Sequence, residues 1–192
     1  MQTRTRLISA DEFWTLAGSP AFQDQRLELV DGELVIMSPA GGTHGAVALR
    51  WGARILEFVE QHDLGYVTAA ETGFILHRGA NGKDVVRAPD AAFIAKDRLP
   101  DGLPDGFVPL APDLVVEVVS PTDTAEDIQA KTADYLKYGV RLIWFGYPRS
   151  KTVTVQTESG AIIKRMGDVL DGGDVLPGFT LPVNAIFKEL QT

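Results

Sequence analysis

The sequence of 192 residues contains no cysteine, which excludes a disulfide framework and any thiolate nucleophile or metal ligand. Histidine is scarce. His44, His62 and His77 form no H-x-x-x-H pair, so a zinc site has little support and the last two are interpreted as surface residues. No G-x-S-x-G elbow appears, and the glycines at 41–42 lack the lysine and spacing of a phosphate-binding loop.

Long apolar runs are also missing, since no window approaches the roughly 20 residues that a membrane helix needs. The first residues carry two arginines but no apolar segment. We therefore expect no secretory signal, no membrane association and a cytoplasmic location. Positive charge is in deficit, with 18 Lys and Arg against 26 Asp and Glu and a net charge of −8. This deficit argues against a broad nucleic-acid footprint, although it still permits a local basic groove or a metal-bridged phosphate contact.

The composition, with 45% hydrophobic residues, predicts one globular domain over residues 1–192, without repeats or linkers. Hydrophobic periodicity predicts a mixed α and β fold with a strand-rich middle. The expected helices begin at Ser9, Thr43 and Thr124, with a further short helix near the end. The expected strands are at 65–68, 73–77, 85–95 (interrupted at Pro89), 114–119 and 140–146, with hairpins at 26–37, 152–164 and 170–187 and an extended connection at 96–112.

The chain is organised around Leu114–Val119, an almost wholly apolar run that is typical of a strand buried on both faces. One carboxylate, Glu117, lies inside it. Period-two alternation places Asp113, Val115, Glu117 and Val119 on one face. A buried carboxylate requires compensation by a metal, a lysine or an arginine.

The next helix supplies such a cation. Thr124 and Asp127 predict a capping box at its start. Lys131 and Tyr135 then lie on one stripe with Ile128, so the lysine faces inward with the apolar residues. The alternatives are a metal-free Glu117–Lys131 salt bridge, or a lysine that extends from the helix towards solvent.

Asp90 is the second candidate acid, because it opens a strand directly after Pro89. Carboxylates from neighbouring strands suit Mg²⁺ or Mn²⁺, and an adjacent ammonium can orient a hydroxide or stabilise charge on a phosphorane. Asp90 alternatively satisfies backbone N–H groups at the strand start. Asp113 is either a further ligand or a turn residue, and Glu28 is either a third acid or a solvated strand residue. His44, at a helix start, either contacts a phosphate or lies at the surface.

Four segments together resemble a known family: RLELVDGELVIMSPAGGTHG, VVRAPDAAFIA, APDLVVEVVSPTDTAEDIQAKTADYLKYGVRLIWFG and DVLPGFTLPVNAIF. They are similar to the Uma-two family, a group described as restriction endonucleases within the PD-(D/E)XK nuclease superfamily. The resemblance extends over about residues 8–187. It implies an α/β (α+β mixed) restriction-endonuclease-like fold, with a mixed sheet flanked by helices and with N-terminal and C-terminal β-hairpins.

The resemblance also implies roles for individual residues. Asp90 matches the PD aspartate and Glu117 the strand glutamate, so these two are expected to bind Mg²⁺. The usual E-x-K lysine is absent, since Val119 occupies its position, and Lys131 stands at the place of a relocated lysine. Glu28 matches an additional N-terminal acid, whereas His44, Asp113 and Tyr135 are accessory candidates. The implied activity is Mg²⁺-dependent hydrolysis of DNA, and we expect a homodimer; the alternative is a non-catalytic module derived from a nuclease.

Overall fold

The computed structural model describes residues 6–22 and 25–188. The chain divides into two compact units, and each is described by itself. The first takes the described residues within Met1–Pro39, Glu71–Ala88 and Pro104–Ala111. The second takes those within Ala40–Ala70, Pro89–Leu103 and Pro112–Thr192. The single-domain organisation expected from the sequence stays a prediction.

The first unit is a four-stranded antiparallel sheet covered by a helix. Helix α1 (Ala10–Ala17) is followed by β1 (Arg26–Val30), β2 (Glu33–Met37), β4 (Phe74–His77) and β5 (Val85–Arg87), in the sheet order β2-β1-β5-β4. A 3₁₀ turn at Ala80–Gly82 precedes β5. The amphipathic helix buries Ala10 and Phe13 against Leu29, Ile75 and Val86 of the sheet, and this cluster is the core of the unit.

Two local signals in this unit act as the sequence predicts. Ser9 caps α1, accepting from the backbone N–H of Glu12, whose carboxylate in turn accepts from the Ser9 N–H. In the hairpin turn both central residues are left-handed, Asp31 at φ 49° and Gly32 at φ 80°. An Asp-Gly turn of this type matches the twist of the flanking strands and fixes their register, pairing Val30 with Glu33.

The second unit contains a six-stranded mixed sheet in the order β10-β9-β8-β7-β6-β3. Strands β7 and β8 are parallel, as a helical crossover between them requires, and the other neighbours are antiparallel. The strands are β3 (Gly65–Ala69), β6 (Ala91–Ala95), β7 (Leu114–Val118), β8 (Leu142–Tyr147), β9 (Thr152–Thr157) and β10 (Gly160–Lys164). A separate hairpin of β11 (Val169–Asp171) and β12 (Thr180–Pro182) leads into α4 (Val183–Ile186).

Helix α2 (Gly42–Gln61) packs on one face of this sheet, and its apolar stripe joins the main core. The side chains of Leu114, Val116 and Val118 point into this core, with Trp51 and Trp144 also fully buried there. Helix α3 (Ala125–Lys137), opened by the predicted Thr124–Asp127 capping box, supplies side chains to the opposite face. Strand β7 is therefore covered on both faces, which explains its apolar sequence.

The predicted fold class is confirmed: α and β elements with a mixed sheet flanked by helices, and hairpins at both ends. One predicted element was wrong. Residues 85–95 form two strands in two different sheets, β5 and β6, because Pro89 lacks an N–H and the chain bends at Asp90. The expected extended connection at 96–112 includes a 3₁₀ turn at Lys96–Arg98. Within the described ranges, no helix is long and apolar enough to cross a membrane.

Candidate active site

Glu117 lies near the end of β7 and is 7% exposed. Its strand neighbours Val116 and Val118 point into the α2 core, so the two-residue period directs the carboxylate to the α3 face. Burying an ionised carboxylate among apolar side chains is unfavourable without a positive partner and hydrogen-bond donors. A fold that buries Glu117 must therefore place a cation and hydrogen-bond donors next to its carboxylate.

Helix α3 supplies them from two successive turns. Lys131 donates to both oxygens of Glu117, with its Nζ 3.0 Å from Oε1 and 3.1 Å from Oε2. The Tyr135 hydroxyl, fully buried, donates to Oε1 at 2.6 Å. Residues four apart on a helix share a face, which is why both reach the same carboxylate. The predicted inward stripe of this helix is thus present in the structure.

Asp90 is 3% exposed and lies just before β6. Its Oδ2 accepts from the backbone N–H of Val118 at 2.8 Å and lies 3.1 Å from Nε2 of His44, in the first turn of α2. The His44 side chain is 13% exposed. The bond to Val118 makes Asp90 an acceptor for a backbone N–H of the neighbouring strand β7, 28 residues away, and not for an N–H at its own strand start. It also anchors Asp90 beside Glu117.

The strand register places the two acids as neighbours. Strands β6 and β7 are antiparallel and pair Ala91 with Val116. Continuing this register by one residue sets Asp90 opposite Glu117, as the bond from the Val118 N–H also indicates. The hydrogen bond from Val118 thus places Asp90 beside the end of β7, where Lys131 contacts Glu117.

This donor set fits Mg²⁺ and does not fit zinc. Residues 6–22 and 25–188 hold no group of three or more His, Cys, Asp or Glu side chains placed to bind a metal ion. Mg²⁺ is commonly held by one or two carboxylates, with waters and substrate phosphates completing its coordination, whereas structural zinc needs four closely placed protein ligands. Asp90 and Glu117 are the residues that would hold such an ion.

Asp113 shares the α3 face with Glu117 but has different partners. Its Oδ2 accepts from Arg98 at 3.0 Å and from the Ala95 N–H at 2.9 Å, and its Oδ1 accepts from Arg141 at 3.1 Å. The backbone of Asp113 is also paired with Phe93 and Arg141. These contacts favour a structural role at the start of β7, and its role as an accessory ligand remains a prediction without support from a neighbouring acid.

Glu28 is located in the first unit, on β1, where it is 1% exposed. Its Oε2 accepts from Arg87 at 2.7 Å and its Oε1 from the Ala88 N–H at 3.1 Å. Because β1 and β5 pair Leu29 with Val86, Glu28 lies opposite Arg87 in the ladder. The alternative of a solvated strand residue is therefore wrong, since this acid is buried and paired. Its accessory catalytic role stays a prediction.

Sequence reasoning missed the arginine partners of these acids: Arg87, Arg98 and Arg141. The alternation of Val85–Arg87 places an arginine inside a buried strand, and a buried arginine requires an acid. That signal was available for Arg87. No comparable signal marks Arg98, which follows β6 in an irregular connection.

Comparison with known proteins shows the family and the fold of the chain. A family model described as "Putative restriction endonuclease" (Uma2) matches residues 10–184. Among solved structures, the chain is similar to a crystal structure described as a putative nuclease belonging to DUF820 from Anabaena variabilis. The two share 19% sequence identity with a TM-score of 0.79, over 94% of this chain and 97% of the other. No curated protein matches the chain.

Proposed function

The chain belongs to the Uma2 (Uma-two) family, and we propose that it is a metal-dependent endonuclease that hydrolyses phosphodiester bonds of DNA. Asp90 and Glu117 hold Mg²⁺ (or Mn²⁺ in its place), and Lys131 orients the nucleophile or stabilises the transition state. Glu28 in the first unit is a predicted accessory acid. His44, Asp113 and Tyr135 are predicted accessory residues that act by holding other groups in place.

One observation carries this proposal: a buried glutamate with a lysine against both of its oxygens, next to a second buried acid. If the strand required only apolar packing, a valine would suit this position, as it does on both sides of Glu117. Buried ion pairs are on average no more stabilising than apolar residues of similar volume. The presence of the charged pair is therefore better accounted for by chemistry than by stability.

The residues of this chain have distinct tasks in the proposed reaction. A bound Mg²⁺ supplies a Lewis acid for the phosphoryl oxygen and lowers the pKa of a coordinated water. Tyr135 fixes the Glu117 carboxylate through its short hydrogen bond, and the Val118 N–H fixes that of Asp90. Lys131 orients the attacking hydroxide or stabilises the charge that develops on the phosphorane. Burial of both acids strengthens each of these electrostatic interactions.

A non-catalytic binding or regulatory module derived from a nuclease is the second candidate. The observation that favours it is that Lys131 already compensates Glu117 on both oxygens. The net charge of −8 also gives long duplex DNA no broad basic surface. In this candidate, the Glu117–Lys131 pair stabilises the sheet and no divalent ion is needed.

The deciding experiment compares the wild type with Glu117→Gln in Mn²⁺ binding by calorimetry and in cleavage of plasmid DNA with Mg²⁺ or Mn²⁺. We expect wild-type cleavage to depend on the ion and Glu117→Gln to lose it by about a hundredfold or more, the scale seen when one preorganised electrostatic group is removed. Metal binding should weaken in parallel, because Gln removes one of the two anionic ligands.

Glu57→Gln is the matched control, since it removes one negative charge from an exposed position of α2 in the same unit. It should cleave DNA as the wild type does. If the wild type and Glu117→Gln behave identically and without dependence on metal, the endonuclease proposal is wrong and the binding module takes its place.

The proposal includes a homodimer in the cytoplasm. Enzymes that cut both strands of a duplex commonly pair about a two-fold axis, which presents one active site to each strand. Sedimentation equilibrium distinguishes one chain from two directly, and a monomer at every concentration that supports cleavage would remove this part of the proposal.

A further inference from the structure

The first unit contains an open cleft of about 620 Å³ that the proposed active site does not use. This volume falls in the range of small-molecule sites. Helix α1 forms one wall, the β1–β2 hairpin another, and the turn before β4 contributes its rim. The lining residues that matter here are Trp14, Phe107, Gln25, Arg26 and Glu71.

The cleft has an aromatic wall that is built into the fold. Trp14 is 50% exposed, with its ring edge-to-face against Phe107 at a centroid distance of 5.0 Å. Phe107 in turn packs on buried Phe13 at 5.1 Å. Position 73 must be glycine for this arrangement, because a Cβ there would lie 2.3 Å from the Phe107 ring. The absence of a side chain at Gly73 thus leaves space for the Phe107 ring, which packs against the half-exposed Trp14.

Three polar residues of different kinds line the same cleft: Gln25, Arg26 and Glu71. Glu71 is exposed and has a left-handed backbone at φ 74°, a conformation that is costly outside glycine and tends to occur at functional positions. An amide donates and accepts, a guanidinium donates and a carboxylate accepts. Together they match the mixed donors and acceptors on the edge of a nucleobase.

From these observations we infer that the cleft binds an unpaired nucleobase of a DNA strand, stacked on Trp14 with its edge toward Glu71 and Gln25. The inference rests on the proposed function and narrows its substrate to DNA with unpaired or extruded bases. Stacking on an aromatic ring is available to every base and does not require neutralised phosphates. It therefore suits a chain with a net charge of −8 better than a long basic groove would.

The chain offers a built-in probe of the cleft. Of its three tryptophans, Trp51 and Trp144 are fully buried and Trp14 is half-exposed. Tryptophan fluorescence is titrated with a short single-stranded DNA, with the blunt duplex of the same sequence and with a mononucleotide, all in EDTA so that cleavage does not interfere. We expect the single strand to bind most tightly and to quench the fluorescence, the mononucleotide to bind weakly, and the duplex to bind least.

Substitutions identify the contact. Trp14→Ala should weaken single-strand binding roughly tenfold or more and remove the quenching, whereas Trp14→Phe should retain most of the affinity, measured by anisotropy of a labelled strand. Ile36→Ala is the matched control, since this residue is 59% exposed on β2 and does not line the cleft. It should bind as the wild type does.

Glu71→Ala is a second and sharper test. Removal of a negative charge strengthens nucleic-acid binding if the contact is only electrostatic. A carboxylate that accepts from a base edge gives the opposite result, and we expect several-fold weaker binding. Unchanged affinity in both Trp14→Ala and Glu71→Ala, or equal binding of single strand and duplex, would overturn the inference.

The outcome for the cleft is separable from the outcome for the active site. Binding is measured in EDTA, so it does not depend on the metal that the active site is proposed to hold. If no protein cleaves DNA but Trp14→Ala loses binding, the endonuclease proposal is wrong and the base site stands. If the wild type cleaves DNA and Trp14→Ala binds and cleaves equally well, the base site is wrong and the endonuclease proposal stands.

Discussion

Two buried acids, Asp113 and Glu117, lie at the two ends of β7, and their side chains have different partners. At the start, Asp113 is 2% exposed and is gripped by Arg98, Arg141 and the Ala95 N–H. At the other end, Glu117 is 7% exposed and meets Lys131 and the Tyr135 hydroxyl. One strand thus carries both an arginine-bound and a lysine-bound carboxylate.

The difference separates a structural acid from a candidate catalytic one. A guanidinium is a rigid fork of five donors that holds a carboxylate in one geometry. An ammonium is a compact charge on a flexible stem, which can move from a carboxylate to a phosphate or a hydroxide. Asp113 also accepts from the backbone of the neighbouring strand, whereas Glu117 accepts from two side chains of one helix, those of Lys131 and Tyr135. We therefore expect substitutions at the Asp113 end to affect folding and those at the Glu117 end to affect chemistry.

The largest effect is expected for Lys131→Met. The proposed role of this ammonium at the phosphorane predicts a loss of DNA cleavage of about a hundredfold or more, while methionine keeps much of the side-chain volume. Plasmid cleavage under saturating Mg²⁺ measures it. Lys137→Met is the matched control on an exposed position of the same helix, and a loss of the same size in both variants would contradict the assignment.

Asp113→Asn is expected to reduce stability by about 2–4 kcal/mol, because a buried position loses the charge that compensates two arginines. The range is lower than for a fully buried pair, since Arg98 and Arg141 retain access to solvent. Urea unfolding measures the change. Glu117→Gln should also lower the free energy of unfolding, because it removes the charge that Lys131 and the Tyr135 hydroxyl contact. The two variants should differ in activity: folded Asp113→Asn should still cleave DNA and Glu117→Gln should not, so an equal loss of cleavage in both would contradict the contrast between the ends of β7.

Tyr135→Phe removes one hydroxyl and no charge. We expect a loss of about 1–2 kcal/mol in stability, because the hydrogen bond to the Glu117 carboxylate is short, buried and charge-assisted. Cleavage should fall less than in Lys131→Met, since Lys131 still holds both Glu117 oxygens. A larger loss of activity than in Lys131→Met would make Tyr135 a participant in the chemistry.

The smallest effect is expected at Asp11, which is exposed and pairs with Arg78 through two hydrogen bonds. Hydrogen bonding and then the charge of Arg78 hold the pKa of Asp11 below its ordinary value of 3.8. Because the folded-state pKa is the lower one, this contribution is present above pH 3.8 and is lost as the pH falls through the folded-state value. Asp11→Asn should therefore lower the Tm slightly near neutral pH and not in strong acid, and a difference independent of pH would contradict this account.

The site contacts that the sequence predicted are local ones. Glu117 and Lys131 are 14 residues apart, on a strand and helix joined by a short turn whose capping box is readable. Helical and strand periods then fix which face each side chain takes. Glu28 and Arg87 are 59 residues apart, so their meeting depends on a strand pairing that no local pattern specifies. The same holds for Asp113 with Arg98 and Arg141.

The sequence by itself determined the helices, the hairpins, the buried strand and the inward direction of Glu117 and Lys131, because each follows from the period of a single element or from the chemistry of one turn. Tertiary structure alone decided that residues 85–95 form strands of two different sheets. It also decided that Asp90 contacts Val118 and His44, and that Trp14 lines a cleft. These outcomes depend on which strands pair and in which register. That choice is settled by burial over the whole unit and not by any segment within it.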